Sequence, residues 1–237
     1  MPSAPASAAS DATEAGVALV SGSNIQAVIF DCDGVLVDSE GLASRVEAEL
    51  IRELGLDLTV DQVHDLFLGK TVEGVLELIA GRSGRKLTST FVYNWAFATA
   101  HAFSRELLPV AGVRAVAEQL RDRGHRLAVA SQSPLARVRF SLDVTRLADL
   151  FGDHVYVTSM VARPKPAPDV YLLAASRLGV RPEDCVVVED SPAGAAAANS
   201  AGMRAIGYAP GDSAGAMQAG GITVIRSMAE LPGLLAF

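Results

Sequence analysis

Six side chains able to do chemistry stand where short apolar runs end. The segment IFDCDGVLVDSE, residues 29–40, sets Asp31 and Asp33 two apart behind strand-like residues and follows them with Gly34. Asp38 and Glu40 come shortly after. Further along, Ser131 closes LAVA, Lys165 stands between two prolines in RPKPAPD, and Glu189 and Asp190 close VVVED. A single acid after a strand reads as a turn or a helix cap. Paired acids, an alcohol, an amine and a second acid pair, in that order, read instead as a site that handles positive charge.

The elements that must position these groups are legible from periodicity. Ile25–Phe30 is apolar apart from Gln26, the pattern of a strand buried on both faces. Similar runs recur at 126–130, 154–158, 185–189, 204–208 and 222–225. Helical patterns lie between them, over 112–123, 168–179 and 191–202. The second has proline near its start and Gly179 past its end, the usual asymmetry of helix termini. Strands alternating with helices predict an α/β fold, a doubly wound parallel sheet covered on both faces. In such sheets ligands bind outside the carboxyl ends of the strands, where the six residues fall.

Residues 41–109 break the alternation. Leu42, Val46, Leu50 and Leu54 share one helical face, TVDQ (59–62) is a capping-box pattern, and Val72, Val75, Leu76 and Ile79 form another stripe. Phe91, Trp95, Thr99, Ala102 and Phe103 form a third, read as the insertion's own core. The expected organisation is an Ala/Ser/Pro-rich disordered tail over 1–23, a core built from 24–40 and 110–237, and a helical insertion over 41–109 that returns through the hinge LPVAG (108–112).

Composition narrows the classes. The net charge of −7 argues against nucleic-acid and anionic-membrane partners, and no run approaches the ~20 apolar residues of a membrane span. Cys32 and Cys185, both in apolar runs, read as reduced buried thiols. The first 44 residues contain no Lys or Arg, which fits neither a secretory nor a mitochondrial leader, so the expected location is the cytoplasm. The four histidines stand in no metal-ligand spacing, and no Gly-x-Gly-x-x-Gly follows a strand.

DCDGVLVDSE, ASQSP, RPKPAPDVY and VEDSPAGAAAA together resemble the four motifs of the haloacid dehalogenase-like phosphohydrolases. The insertion after the first motif is similar to that of the subgroup holding beta-phosphoglucomutase and small sugar-phosphate phosphatases, where it forms a cap. The likeness spans roughly 25–235. It implies a Rossmann-like core and a Mg²⁺-dependent phosphatase acting on a small phosphorylated metabolite, a sugar or sugar-acid phosphate, as a monomer or weak dimer. Asp31 would be the nucleophile that forms an aspartyl-phosphate, and Asp33 the general acid and base. Mg²⁺ would be held by Asp31, Asp190 and the Asp33 carbonyl, with Glu189 orienting the outer shell. Ser131 and the N–H groups of Gln132, Asp33 and Gly34 would bind the transferring oxygens. Arg163, Glu40 and LGKT (68–71) would contact substrate. A carboxylate approaching a phosphate dianion at ~4 Å meets roughly 4 kcal/mol of repulsion per charge pair at an effective dielectric of ~20. Cation and Lys165 together must offset it.

Other readings stay open at this point. Ser131 or Asp190 could be helix caps, Asp33–Gly34 a plain turn and Lys165 a solvated lysine. A phosphomutase is the main alternative. The resemblance would then put a hinge histidine, a cap arginine and an asparagine where this chain has Ala43, Val72 and Leu135. A dehalogenase would lack Asp33, and a phosphonatase would use a cap lysine, Lys70 or Lys86. A receiver module would be shorter, and a non-catalytic relative would have lost an acid or the lysine.

Overall fold

The computed structural model describes residues 25–67, 70–210 and 215–235. The tail expected over 1–23 lies outside them, as do Leu68 and Gly69 of the LGKT segment. The chain runs β1 (Ala27–Phe30), α1 (Glu40–Arg52), α2 (Val60–Phe67), α3 (Val72–Ser83), α4 (Ser89–Glu106), α5 (Val113–Asp122), β2 (Arg126–Ser131), α6 (Leu135–Val144) and α7 (Ala148–Phe151). It continues through β3 (Val155–Val157), α8 (Asp169–Leu178), β4 (Cys185–Glu189), α9 (Pro192–Ser200), β5 (Arg204–Tyr208), α10 (Gly215–Ala219), β6 (Thr223–Ile225) and α11 (Leu231–Leu234). No helix among the described residues is long and apolar enough to cross a membrane.

The strands form one parallel sheet in the order β3-β2-β1-β4-β5-β6, the doubly wound arrangement. Strand order reverses at β1, so the crevice at its carboxyl end lies between β2 and β4. Phe30 stands in register with Val129 on β2 and Val188 on β4, and Asp31 N–H donates to the Val188 carbonyl at 2.9 Å.

Alternation along each strand supplies two cores. Val28, Phe30, Val129, Val186, Val188 and Ile206 face one side, where they meet Val113, Leu120, Leu142 and Phe151. Ala27, Ile29, Ala128, Ala130, Val187 and Ala205 face the other, against α8 and α9. Alanines dominate this second side, including Ala174, Ala175, Ala195 and Ala198 on the helices. Small residues let these helices pack close, which brings the N-terminus of α9 against the end of β4.

Helices α1–α4 occupy the interruption between β1 and α5. Ala48, Ile51, Val63, Phe67, Val75, Ile79 and Trp95 form a separate apolar cluster among them. The Thr59/Gln62 capping box forms, with reciprocal contacts of 2.9 and 3.2 Å ahead of α2. The aromatic stripe of α4 divides: Trp95 joins the cluster among the helices, whereas Phe103 is packed into the sheet's core. Two connecting segments run side by side where chain leaves and re-enters the sheet layer. Asp38 N–H donates to Leu108 O at 3.0 Å, Val110 N–H donates to Leu36 O at 2.9 Å, and Val37 bridges Pro109 antiparallel.

Candidate active site

The carboxyl ends of β1, β2 and β4 bring Asp31, Ser131 and Glu189 together, and the loop after β3 delivers Lys165 between them. All four are buried. Lys165 Nζ donates to Asp31 Oδ1 at 2.5 Å, to Glu189 Oε1 at 2.6 Å and to the Ala130 carbonyl at 3.0 Å. An ammonium has three protons, so its hydrogen-bonding capacity is spent inside the protein. Its effect on a bound anion is therefore one of charge, while its bonds fix the orientation of Asp31. Burial pulls the Lys165 pKa down, but Asp31 and Glu189 outweigh burial and hold it well above the ordinary lysine range.

Glu189 is held on both oxygens. Tyr171 on α8 donates its hydroxyl to Oε1 at 2.7 Å, and Ser191 donates its N–H and hydroxyl to Oε2 at 3.0 and 2.9 Å. The Ser191 hydroxyl also accepts from Gly194 N–H at 3.1 Å and so caps α9. Burial raises the Glu189 pKa, yet Lys165 and these donors bring it below the usual carboxylate value. The carboxylate rests on the first turn of α9, and a Cβ on Gly194 would overlap it.

Asp33 sits in a separate clamp. It accepts from Ser39 at 2.7 Å, from Ser133 at 2.7 Å and from the Arg137 guanidinium at 3.1 Å. Arg137, on α6, lies over the Phe103 ring with its Cζ 5.0 Å from the centroid. Burial pushes Asp33 up, but the Arg137 charge and the two hydroxyl donors prevail and hold it below the usual value. Asp31 behaves oppositely: burial raises its carboxyl to about 7 against the pull of Lys165, with Glu189 adding to the rise.

Asp190 lies against the backbone of Gly34, which has φ +73°. A Cβ there would overlap Asp190 Oδ2 and stand 2.9 Å from its Cγ. Only glycine accepts both the turn and the approach. Burial, Glu189, Asp31 and Glu40 together push Asp190 well above the ordinary carboxylate range. Lys165 is thus bonded to Asp31 and Glu189, Arg137 is committed to Asp33, and burial outweighs the pull of His64 in raising the Glu40 carboxyl. Among the described residues no three His, Cys, Asp or Glu side chains converge as a preformed metal cluster. The donors at hand, two under-compensated carboxylates and a backbone carbonyl, nevertheless fit a hard divalent cation that keeps water and phosphate oxygens in its shell.

These groups line a cavity of about 160 Å³, below the ~300–1,000 Å³ of sites for drug-sized ligands. Asp31, Asp33, Ser131, Gln132, Lys165, Glu189, Asp190 and Glu40 line it, as the sequence leads one to expect. Ser131 Oγ also accepts Ser133 N–H at 3.0 Å, so it shapes the turn into α6 as well as facing the cavity. Two expectations need correction. The Gly34 N–H donates to the Val37 carbonyl at 2.9 Å within its own turn, so it is not directed at a phosphate oxygen; the residue's role is to make room for Asp190. Arg163 is an exposed residue outside the cavity, paired with Asp169 at 2.7 Å. Of LGKT, Lys70 lines the cavity, and the Thr71 hydroxyl caps α3 by accepting Gly74 N–H at 3.2 Å. Ala43 and Val72 line it as well, so the wall is apolar where a mutase-like chain would carry a histidine and an arginine.

Sequence reasoning did not find Tyr171, Ser39, Ser133, Arg137 or Gly194. Ser39, Ser133 and Tyr171 lie within the quoted motifs, but their spacing does not say which acid each holds, and Arg137 carries no local signature. Gly194 did leave a signal. A glycine in the first turn of an alanine-rich helix costs ~1 kcal/mol of helix propensity, which points to a close approach at that position.

A family model described as haloacid dehalogenase-like hydrolase matches residues 25–202. The chain belongs to this family. It is 30% identical over 183 residues to the 6-phosphogluconate phosphatase of Escherichia coli K12, covering 77% of this chain and 81% of that one. It is 35% identical over 200 residues to hexitol phosphatase B of the same organism, covering 77% and 82%. Among solved structures, a family hydrolase from Deinococcus radiodurans R1 with bound phosphate and sodium superposes with a TM-score of 0.73 at 34% identity, covering 91% of this chain and 96% of that one. These curated relatives are phosphoric monoester hydrolases, and the chain is an enzyme of that kind.

Proposed function

We propose that this enzyme hydrolyses the phosphate monoester of a small hydroxyl-rich metabolite, a sugar, polyol or sugar-acid phosphate, through a phosphoryl group carried on Asp31. One observation carries the reading: the Asp31 carboxylate is oriented at a strand end by an ammonium whose three donors are all engaged, with Asp190 and Glu40 beside it insufficiently compensated. The names of the two Escherichia coli relatives support the substrate class.

In this reading an Asp31 oxygen attacks phosphorus and displaces the alcohol. Asp33 gives that alcohol a proton, then takes one from the water that hydrolyses the acyl phosphate. The clamped, ionised Asp33 suits the second half. Donating a proton in the first half requires that it leave Arg137. In this reading the Ser131 hydroxyl and the Gln132 N–H bind the transferring oxygens. Mg²⁺ held by Asp31, Asp190 and the Asp33 carbonyl would supply the positive charge that lets two anions meet. Glu189 acts through Lys165 as a positioning residue. Apolar Ala43 and Val72 disfavour a mutase, which must grip a second phosphate. Two free, buried thiols agree with a reducing compartment such as the cytoplasm.

Phosphate release from a panel of sugar, polyol, sugar-acid and nucleotide phosphates, with and without Mg²⁺, tests this. Mg²⁺-dependent release from the first three groups, lost in Asp31→Asn, is expected. Phosphate exchange between bisphosphate and monophosphate sugars without release would overturn it.

A further inference from the structure

Glu47 has no place in the chemistry above, yet it faces the same cavity. It stands on α1, two turns beyond Glu40, and its carboxylate reaches a chamber walled by Phe67, Val75 and Trp95. It is partly buried, and among the described residues it makes no hydrogen bond or ion pair. Carboxylates withdrawn from water are ordinarily paired, because an unpaired one is expensive to keep. Burial lifts its pKa to about 7 despite the pull of Arg137, with Asp33 adding to the rise and His64 opposing it. Such a group in a substrate chamber is completed by donors that the substrate brings.

We propose that Glu47 is a specificity-determining residue that accepts hydrogen bonds from hydroxyls of an uncharged polyol or sugar chain, and that it ranks these above phosphorylated substrates bearing a second acid. This rests on the phosphatase reading and narrows its substrate class. Hydroxyls are the better match than an ammonium group, since the Arg137 guanidinium and the Lys70 ammonium already line the cavity. A carboxylate or second phosphate seated beside Glu47 would meet like-charge repulsion that a hydroxyl chain does not.

The test compares kcat/KM for a hexitol phosphate, 6-phosphogluconate and an amino-sugar phosphate in the wild type, Glu47→Gln and Glu47→Asp. The wild type should prefer the polyol over the sugar acid by at least ~10-fold, equivalent to about 1.4 kcal/mol. Glu47→Gln should erase most of that ratio. Glu47→Asp, with shorter reach but the same charge, should lower polyol turnover and keep the discrimination. A ratio unchanged within about twofold in Glu47→Gln, or a wild-type preference for the sugar acid or the amine, would overturn the proposal while leaving the phosphatase reading intact. Failure of the wild type on every phosphate would instead strike the reading beneath it.

Discussion

Glu189 and Gly194 are packed so closely that a single added carbon on the glycine would displace the carboxylate. Gly194→Ala should leave α9 intact, since alanine favours a helix by ~1 kcal/mol over glycine. It should nevertheless push Glu189 off Lys165 and loosen Asp31. Steady-state kinetics should show kcat reduced roughly 10–100-fold, the usual effect of losing an outer positioning contact, with KM little changed and circular dichroism unaltered.

Lys165 holds two buried carboxylates, so removing it has a structural consequence as well as a catalytic one. Lys165→Met should cost about 3–5 kcal/mol of stability by leaving Asp31 and Glu189 unpaired and should lower kcat/KM by roughly 10²–10³ or more. Adding Glu189→Gln to it removes one of the stranded charges. The double variant should therefore melt higher than Lys165→Met alone while remaining as inactive, a non-additivity that thermal unfolding reads directly.

Glu47 makes a pH-dependent prediction. Its pKa in the folded protein is raised to about 7, so the folded state binds this proton more tightly than the unfolded chain does. Stability from this group is thus present below the unfolded pKa and lost as pH rises towards 7. Glu47→Gln escapes the loss. Its melting temperature should match the wild type near pH 4, rise above it between about pH 4.5 and 7, and hold a plateau beyond, worth about 1–3 kcal/mol. A gap that shrinks with rising pH would contradict the assignment.

Asp190 should be a liability without a cation and an asset with one. Mg²⁺ at about 100 times its Kd should stabilise the wild type by ~2.7 kcal/mol, a shift of roughly 5–10 °C for a chain of this size. Asp190→Asn should melt at or above the wild type when both are metal-free, and should lose the Mg²⁺ response together with the activity. Calorimetry in chelator and in Mg²⁺ separates these effects.

Much of the fold and part of the site were legible in the sequence. Strands buried on both faces leave continuous apolar runs, and helix termini leave Pro and Gly, so β4 and β5 fall where the residues put them. Asp31, Asp33, Ser131, Lys165 and Asp190 were visible because each stands just beyond a strand or in a short loop after one. Arg137 and Tyr171 were not, because on α6 and α8 they look like any surface cation or core aromatic until the sheet sets them beside Asp33 and Glu189. Arg163, expected to contact substrate, is instead exposed and paired with Asp169 outside the cavity, which its place two residues before Lys165 does not reveal. Gly34 leaves room for Asp190, a proximity that only the side-by-side pairing of β1 and β4 reveals.

The central claim is that Asp31 takes the phosphoryl group covalently. Asp33→Ala incubated with Mg²⁺ and acetyl phosphate tests it most directly. Acetate leaves without needing a proton, so the first step survives, whereas hydrolysis of the acyl phosphate has lost its base. Acid quenching followed by peptide mass spectrometry should find a phosphoryl group on the peptide containing Asp31, and the same treatment of the variant also carrying Asp31→Asn should find none. Continued phosphate release with Asp31 unmodified throughout would contradict the account.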